Sequence, residues 1–166
     1  MADTRTARVR RATARDAEEI VRLRRLMFTA MNGTDEPGDW EREAVRVARR
    51  QLAQEPSPLL ALVVDGERTG LAACAVGRVE ERLPAPGHPS GLFGFVFNVC
   101  TDEAYRGRGY ARAATEALLA EFARRGVTRV DLHATPEAEA MYRSLGFAEH
   151  SLALSLDVSG RRRPHG

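Results

Sequence analysis

The segment VCTDEAYRGRGYA, residues 99–111, carries the strongest structural signal in the chain. An apolar run ends at Thr101, a short polar turn follows, and an amphipathic helical pattern begins after Gly109. The first turn of a helix has N–H groups without intrahelical acceptors, and the helix dipole is positive there. Glycine leaves room for close approach, and Arg106 and Arg108 add formal charge. The segment therefore predicts an anion site suited to a pyrophosphate.

The same segment argues against other phosphate chemistries. It lacks the Lys-[Ser/Thr] pair of a magnesium-dependent nucleotide site and the G-x-G-x-x-G run of a dinucleotide site. All 25 basic residues are arginine, which excludes a Schiff-base lysine. Removing Arg161, Arg162 and Arg163 from these 25 leaves 22 basic against 23 acidic residues. We therefore expect no nucleic-acid partner, except through that tail.

The bulk composition indicates a globular protein. The chain has 166 residues, 43% of them hydrophobic, which suits one domain with a substantial core. Cys74 and Cys100 lie in apolar stretches and predict reduced thiols in a cytoplasmic protein. No apolar run is long enough to span a membrane, and the histidines show no metal-ligand spacing. The arginine-only, alanine-rich usage is typical of a high-GC bacterial gene.

Hydrophobic periodicity predicts an ordered series of elements. The expected strands cover 7–13, 59–64, 69–79, 92–101, 128–134 and 147–156. The expected helices run over about 14–31, from Asp39 towards Pro56, from Gly109 to Gly126 and from Pro136 to Gly146. Early hairpins followed by strand–helix–strand units indicate an α/β (α+β) fold, a mixed sheet with helices on both faces. We expect one domain over 1–158 and a flexible basic tail over 159–166.

Two motifs in this order resemble the GNAT superfamily of acetyl-CoA-dependent N-acetyltransferases. Residues 106–111, RGRGYA, fit the family's pyrophosphate signature [Gln/Arg]-x-x-Gly-x-[Gly/Ala]. Residues 138–147, AEAMYRSLGF, fit its later A-x-x-x-Tyr-x-x-x-Gly-Phe segment, and one predicted strand lies between the two motifs. The resemblance covers nearly the whole chain. It implies a mostly antiparallel sheet that is splayed in the middle and binds acetyl-CoA.

The resemblance also implies roles for particular residues. Pantetheine would pair with the strand ending at Thr101, through Val99 and Thr101, and the Val99 N–H would contact the acetyl carbonyl. Tyr142 matches the family's general acid, and a phenol suits a departing thiol because their pKa values are close. The cofactor's pyrophosphate would contact the loop and helix start formed by Arg106, Gly107, Arg108, Gly109, Tyr110 and Ala111.

The acceptor site is implied by the same resemblance. It would lie by the first two helices and the loops at 33–39 and 83–90. The residues that would line it are Met27, Phe28, Met31, Asp35, Glu36, Asn98 and His133. The general base stays open, because the strand over 95–100 has no carboxylate. Asp35, Glu36, His133 and a chain of water molecules are the alternatives.

We expect an N-acetyltransferase that acts on a small-molecule or peptide amine, with no membrane partner and with a homodimer left open. The second hypothesis is a non-catalytic acyl-CoA-binding module. A third is an acyl enzyme formed on Cys100 with His133 as base, although Cys100 has the pattern of a small apolar strand residue. The fourth is nucleic-acid binding through the arginines at 161–163.

Overall fold

The computed structural model describes residues 8–161, which divide into two compact units between Leu132 and His133. The first unit holds five strands, three helices and two short 3-10 turns. In chain order these are β1 (Val9–Arg11), a 3-10 turn (Ala14–Asp16), α1 (Ala17–Asn32), α2 (Asp39–Leu52), β2 (Leu59–Asp65), β3 (Leu71–Glu81), β4 (Leu92–Thr101), a 3-10 turn (Glu103–Tyr105), α3 (Tyr110–Arg124) and β5 (Arg129–Leu132).

The five strands form one mixed sheet in the order β1-β2-β3-β4-β5. The first four are antiparallel to their neighbours, and β5 is parallel to β4. A parallel pair needs a crossover connection, and α3 provides it between β4 and β5. The mixed, mostly antiparallel sheet predicted from the sequence is confirmed.

Helices cover both faces of this sheet. On one face, α1 and α2 bury residues such as Leu23 and Ala48 against Val63 and Cys74. On the other face, α3 buries Leu118 and Phe122 against a second apolar cluster of the same strands. Successive side chains of β2 therefore pack in turn against one helical layer and the other, because neighbouring side chains of a strand point to opposite faces.

Strand β4 contains a β-bulge at Phe97. Val76 of β3 is opposite Asn98, whereas the next residue, Gly77, is opposite Val96, so Phe97 is the extra residue. The bulge changes which face the strand presents. Val96 packs with α3, while Cys100 packs with α1, although a regular strand would place both on one face.

The sheet opens at the same place. The register of β4 with β5 runs from Phe93↔Arg129 to Val96↔Leu132 and ends at the residue before the bulge. In the described residues, the part of β4 beyond Phe97 pairs with β3 alone, with Val99 opposite Ala75. The opening agrees with the splay that the resemblance implies, and it coincides with the extra residue in β4.

The second unit, described over 133–161, contains α4 (Glu139–Ser144) and a 3-10 turn (Ser159–Arg161). The strand predicted over 147–156 is wrong, because this stretch is irregular. Its leucines alternate, but Leu152 and Leu154 are 84% and 86% exposed. The described part of this unit has no strand to pair with it, and a strand is stable only when its backbone groups are paired.

Several predicted boundaries shift by a few residues. The first helix begins as the 3-10 turn after Thr13, and the second strand of the β2–β3 hairpin covers Leu71–Glu81. Residue 7 of the first predicted strand and residues 162–166 of the predicted tail lie outside the described residues. In the part that is described, no helix has the length and apolar character needed to cross a membrane.

Candidate active site

The loop between β4 and α3 has the backbone that the sequence predicts for an anion site. The Asp102 side chain accepts a hydrogen bond from the Ala104 N–H at 3.0 Å and caps the 3-10 turn. Gly107 and Gly109 follow in the left-handed region, with φ of 78° and 79°. A Cβ atom on either glycine would meet nothing within 4 Å. The two glycines are therefore required by backbone conformation, and the space beside them is open.

Helix α3 begins directly after this loop. Its first closing hydrogen bond runs from the Ala113 N–H to the Gly109 carbonyl at 3.0 Å. The N–H groups before Ala113 therefore belong to the first turn, where helical geometry supplies no acceptor. Together with the positive end of the helix dipole, this arrangement fits a diphosphate.

Ion pairs hold the loop in place on both sides. Arg22 of α1 donates to Asp102 and to Glu19, each at 2.7 Å. Its guanidinium holds the pKa of the Asp102 carboxyl below the usual range. On the other side, Arg108 donates to Glu67 at 2.7 Å. Arg106 is exposed, so its charge is available to a bound anion.

The free edge of β4 beyond the bulge exposes the backbone of alternate residues. The Asp102 N–H bonds the Ala72 carbonyl of β3 at 2.8 Å. Backbone groups alternate between the two edges of a strand, so those of Thr101 and Val99 point away from β3. These are the two residues predicted to pair with pantetheine. An extended ligand can add to such an edge as an extra strand.

Next to this edge lies a polar contact that the sequence analysis missed. Arg24 of α1 donates to the Asn98 side-chain oxygen at 3.0 Å, and Asn98 is only 2% exposed. The same guanidinium lies over the Phe28 ring at 4.6 Å and near the Phe97 ring at 5.8 Å. Two residues of the predicted acceptor site, Phe28 and Asn98, are thus brought together. Sequence spacing alone shows no signal for this contact, because it joins two distant elements.

The predicted acidic residues of the acceptor loop have other partners. Asp35 accepts two hydrogen bonds from Arg25, at 2.6 and 2.7 Å, and these lower the pKa of its carboxyl. A carboxylate with a lowered pKa is a weak base. For Glu36 the partner is on the main chain: its backbone carbonyl, and not its carboxylate, accepts from the Trp40 indole at 2.8 Å. Met27 packs beside the α1 face of the core, whereas Met31 is 54% exposed.

The cysteines do not fit an acyl-enzyme mechanism. Both are free thiols, and burial is the main cause that raises their pKa, to about 11 for Cys100 and about 12 for Cys74. A thiol nucleophile acts as the thiolate, so these groups are in the inactive form near neutral pH. The proposed partner His133 is the first residue of the second unit.

Tyr142 lies in the second unit, on α4. It is 8% exposed, and its ring meets Phe147 edge-on with centroids 5.8 Å apart. Burial raises the pKa of its phenol, which keeps the proton on the hydroxyl. Within residues 8–161 no group is recorded as a hydrogen-bond partner of this hydroxyl.

A mixed sheet that opens at a bulged strand, beside a glycine loop at a helix start, is the architecture of an acyltransferase that uses coenzyme A thioesters. Residues 18–147 match the model of the acetyltransferase (GNAT) family. This is more than half of the chain, which therefore belongs to that family. As a member it is an acyltransferase that acetylates an amine with acetyl-CoA as the donor. The predicted family, activity and donor are confirmed.

Individual relatives agree with this assignment. The chain is 32% identical, over 69% of its length and 68% of the relative's, to glucosamine 6-phosphate N-acetyltransferase 1 of Oryza sativa subsp. japonica. Its fold is similar to that of a protein described as a predicted acetyltransferase from Clostridium acetobutylicum, determined with acetyl-CoA. That match has a TM-score of 0.78 and 22% identity, and it covers 92% and 97% of the two chains. The fold of glucosamine-6-phosphate N-acetyltransferase from Arabidopsis thaliana also matches, with a TM-score of 0.70, 18% identity and coverage of 92% and 98%.

Proposed function

We propose that the protein acetylates a primary amine of a small molecule or peptide, and that the amine attacks the thioester directly while both substrates are bound. The observation that carries this proposal is the free edge of β4 beyond Phe97, which leads straight into the glycine loop and the start of α3. An extended pantetheine arm and a diphosphate need these two features in this order.

In this proposal, the main-chain groups of the first unit bind acetyl-CoA and orient its thioester. Acetyl-CoA, when bound, supplies an acetyl group activated as a thioester. Residues 106–111 hold the diphosphate, through the N–H groups of the loop and the charges of Arg106 and Arg108. Val99 and Thr101 hold the pantetheine arm, and the Val99 N–H donates to the acetyl oxygen, where negative charge develops.

Tyr142 is the proposed general acid, and it donates its proton to the departing sulfur. The raised pKa of its buried phenol supports this role, because the group remains a proton donor near neutral pH. Replacing Tyr142 by Phe removes only the hydroxyl. We expect turnover to fall by about 10²-fold while coenzyme A binding is unchanged. Unchanged turnover would remove Tyr142 from the chemistry.

The proposed base is a water molecule or His133 rather than Asp35. The ion pair with Arg25 makes Asp35 a weak base and gives it a structural partner. We retain Asp35, Glu36, Met27, Phe28, Met31 and Asn98 as proposed contacts of the acceptor. Single replacements of His133 and Asp35 by Asn should show whether either residue is the base, because only loss of the true base changes the pH dependence of kcat/KM.

The decisive experiment combines binding with turnover. Calorimetry with coenzyme A tests the binding site, and thiol release from acetyl-CoA tests transfer to amino sugars, amino sugar phosphates, amino acids, polyamines and peptide N-termini. We expect tight binding and transfer to at least one class. Binding without transfer to any amine would support the non-catalytic module instead. A chain that binds neither coenzyme A nor its thioester would overturn the proposal.

The setting of the protein is part of the same proposal. We infer a reducing cytoplasmic compartment, which suits two buried free thiols. We also propose one functional domain over 1–158 and a basic tail over 159–166, and a homodimer stays open. Sedimentation of the purified chain, with and without residues 159–166, measures the oligomeric state and the contribution of the tail.

A further inference from the structure

Helix α1 carries three arginines in close succession, and one of them differs from the other two. Arg22 is paired with Glu19 and Asp102, and Arg25 is paired with Asp35 and Glu41. Arg24 has no carboxylate partner anywhere in the described part of the chain, although it is half-buried. Burial lowers the pKa of its guanidinium, whereas the carboxylates raise the pKa of Arg22 and Arg25.

The surroundings of Arg24 hold its side chain in a fixed position. The guanidinium lies over the Phe28 ring at 4.6 Å, 5.8 Å from the Phe97 ring, and its Nη1 donates to Asn98 at 3.0 Å. Within residues 8–161, Asn98 is the one hydrogen-bond partner of this group. In residues 8–161, none of the remaining N–H groups of Arg24 is both buried and without a partner. The remaining Arg24 N–H groups therefore reach solvent.

A half-buried charge without a counter-ion is costly, and a bound anion would remove that cost. Stacking on an aromatic ring leaves the edge of a guanidinium free, and this edge matches a carboxylate or a phosphate in two parallel hydrogen bonds. The position also suits an acceptor site. Phe97 and Asn98 directly precede Val99 in β4, and the rise along a strand is about 3.3 Å per residue.

We propose that Arg24, stacked between Phe28 and Phe97 and anchored on Asn98, binds an anionic group, a carboxylate or a phosphate, on the amine acceptor. This inference rests on the proposed function, because it assigns part of the acceptor site. The acceptor then enters with its amine towards β4 and its acidic group on Arg24. The protein selects acidic amines over neutral ones of the same shape.

A purely structural role for Arg24 makes a different prediction. If Arg24 served only to hold Asn98 and to cover Phe28, its replacement would weaken the protein for every acceptor equally. A binding role affects only acceptors that carry the anion, and it acts mainly on KM. Arg24→Met keeps most of the stacking volume without the charge, and Arg24→Lys keeps the charge without the planar fork. Arg50→Met removes the same charge from an exposed position on α2 and is the matched control.

The kinetic test uses pairs of amines that differ in one acidic group. Glucosamine 6-phosphate against glucosamine tests a phosphate, and β-alanine against its amide tests a carboxylate. For at least one pair we expect the acidic member to have a kcat/KM about 10- to 100-fold higher, the range of a hydrogen-bonded ion pair. Arg24→Met should abolish this preference by raising KM, Arg24→Lys should keep part of it, and Arg50→Met should keep all of it. Equal rates within both pairs, or an equal loss for both members, would overturn the inference.

A binding measurement separates this inference from the proposed function. Trp40 is the single tryptophan of the chain, and its ring meets Phe28 edge-on at 5.8 Å, so its fluorescence reports on this site. The same amines are titrated into the complex with coenzyme A, with calorimetry in parallel. Binding of the acidic members that depends on Arg24 but gives no transfer would leave the inference standing and contradict the function. Transfer without any preference for acidic acceptors would contradict the inference and leave the proposed function standing.

Discussion

The two halves of β4 belong to one strand but serve different purposes. Before the bulge, Phe93 to Val96 are paired on both edges, and Gly94 lies under the buried ring of Phe122. After the bulge, Val99 and Thr101 have no strand on their outer edge in the described residues 8–161. The first half fixes the position of the strand in the core. The second half keeps backbone groups available to a ligand, and it can do so because the first half is held firmly.

The largest expected effect comes from disrupting the packing of the first half of β4, which is paired on both edges. Phe122 is 1% exposed, and its ring occupies the space over Gly77 and Gly94, where a Cβ would lie 2.7 and 2.9 Å from ring atoms. Phe122→Ala leaves a cavity there and should lower the free energy of unfolding by about 3–5 kcal/mol. Denaturant titration measures this change.

Phe97→Ala is the matched control, because it removes the same side chain from the bulge, where Phe97 is 36% exposed. We expect a loss well below that of Phe122→Ala, together with a weaker preference for acidic acceptors. If both variants lost equal stability, the distinction between the two halves of β4 would be wrong.

The second prediction tests the free edge of the second half of β4, after the bulge. Proline at position 99 removes an N–H that points away from β3, so the sheet should lose no ladder hydrogen bond. The same N–H is the proposed donor to the acetyl oxygen. We expect Val99→Pro to lower kcat by about 10²–10³-fold, the usual cost of losing such a donor, while the melting temperature changes little.

Cys100→Pro is the control at the next residue, where the N–H faces β3. It should destabilise the sheet before it affects the chemistry. Circular dichroism melts and initial rates of both variants provide the comparison. A Val99→Pro protein that remains fully active would show that this N–H has no part in polarising the thioester.

The sequence predicted β4 from Leu92 to Thr101 with the observed bounds, because alternation and flanking turn residues are local signals. It did not predict the bulge at Phe97, since a bulge is defined by the register with β3, which no local pattern contains. Arg24 was missed for the same reason. It is one of many arginines, and only the packing of α1 on β4 shows that, within residues 8–161, an amide and two aromatic rings surround it in place of a carboxylate.

The segment over 147–156 illustrates the opposite error. Its alternating leucines have the same pattern as a paired strand, but pairing requires a neighbouring edge, and sequence alone does not show one. The glycine loop was predictable because its function depends on backbone conformation. Left-handed φ values at Gly107 and Gly109 demand glycine, so the requirement is written directly in the residue type.

The smallest expected effect concerns the buried side chains at the second half of β4. Cys74 and Cys100 are opposite each other on β3 and β4, and burial raises their pKa from 9.0 to about 12 and about 11. Below about pH 8 both thiols are protonated in the folded and unfolded states, and their contribution to stability is complete. As pH rises further, the unfolded chain ionises first, so stability falls until the folded pKa values are reached. We expect a loss of about 1 kcal/mol per thiol near pH 10.

This chain is well suited to the measurement, because it has no lysine to titrate in the same range. Burial also raises the pKa of Tyr142, which adds a change of the same sign. Unfolding free energies of the wild type and of Cys74→Ala, compared between about pH 8 and pH 10, isolate the thiol. The variant should lose less stability than the wild type over this range. An identical pH dependence in the two proteins would mean that the Cys74 thiol titrates alike in the folded and unfolded states. Water would then reach the buried side chains beside the second half of β4 as well as its free edge.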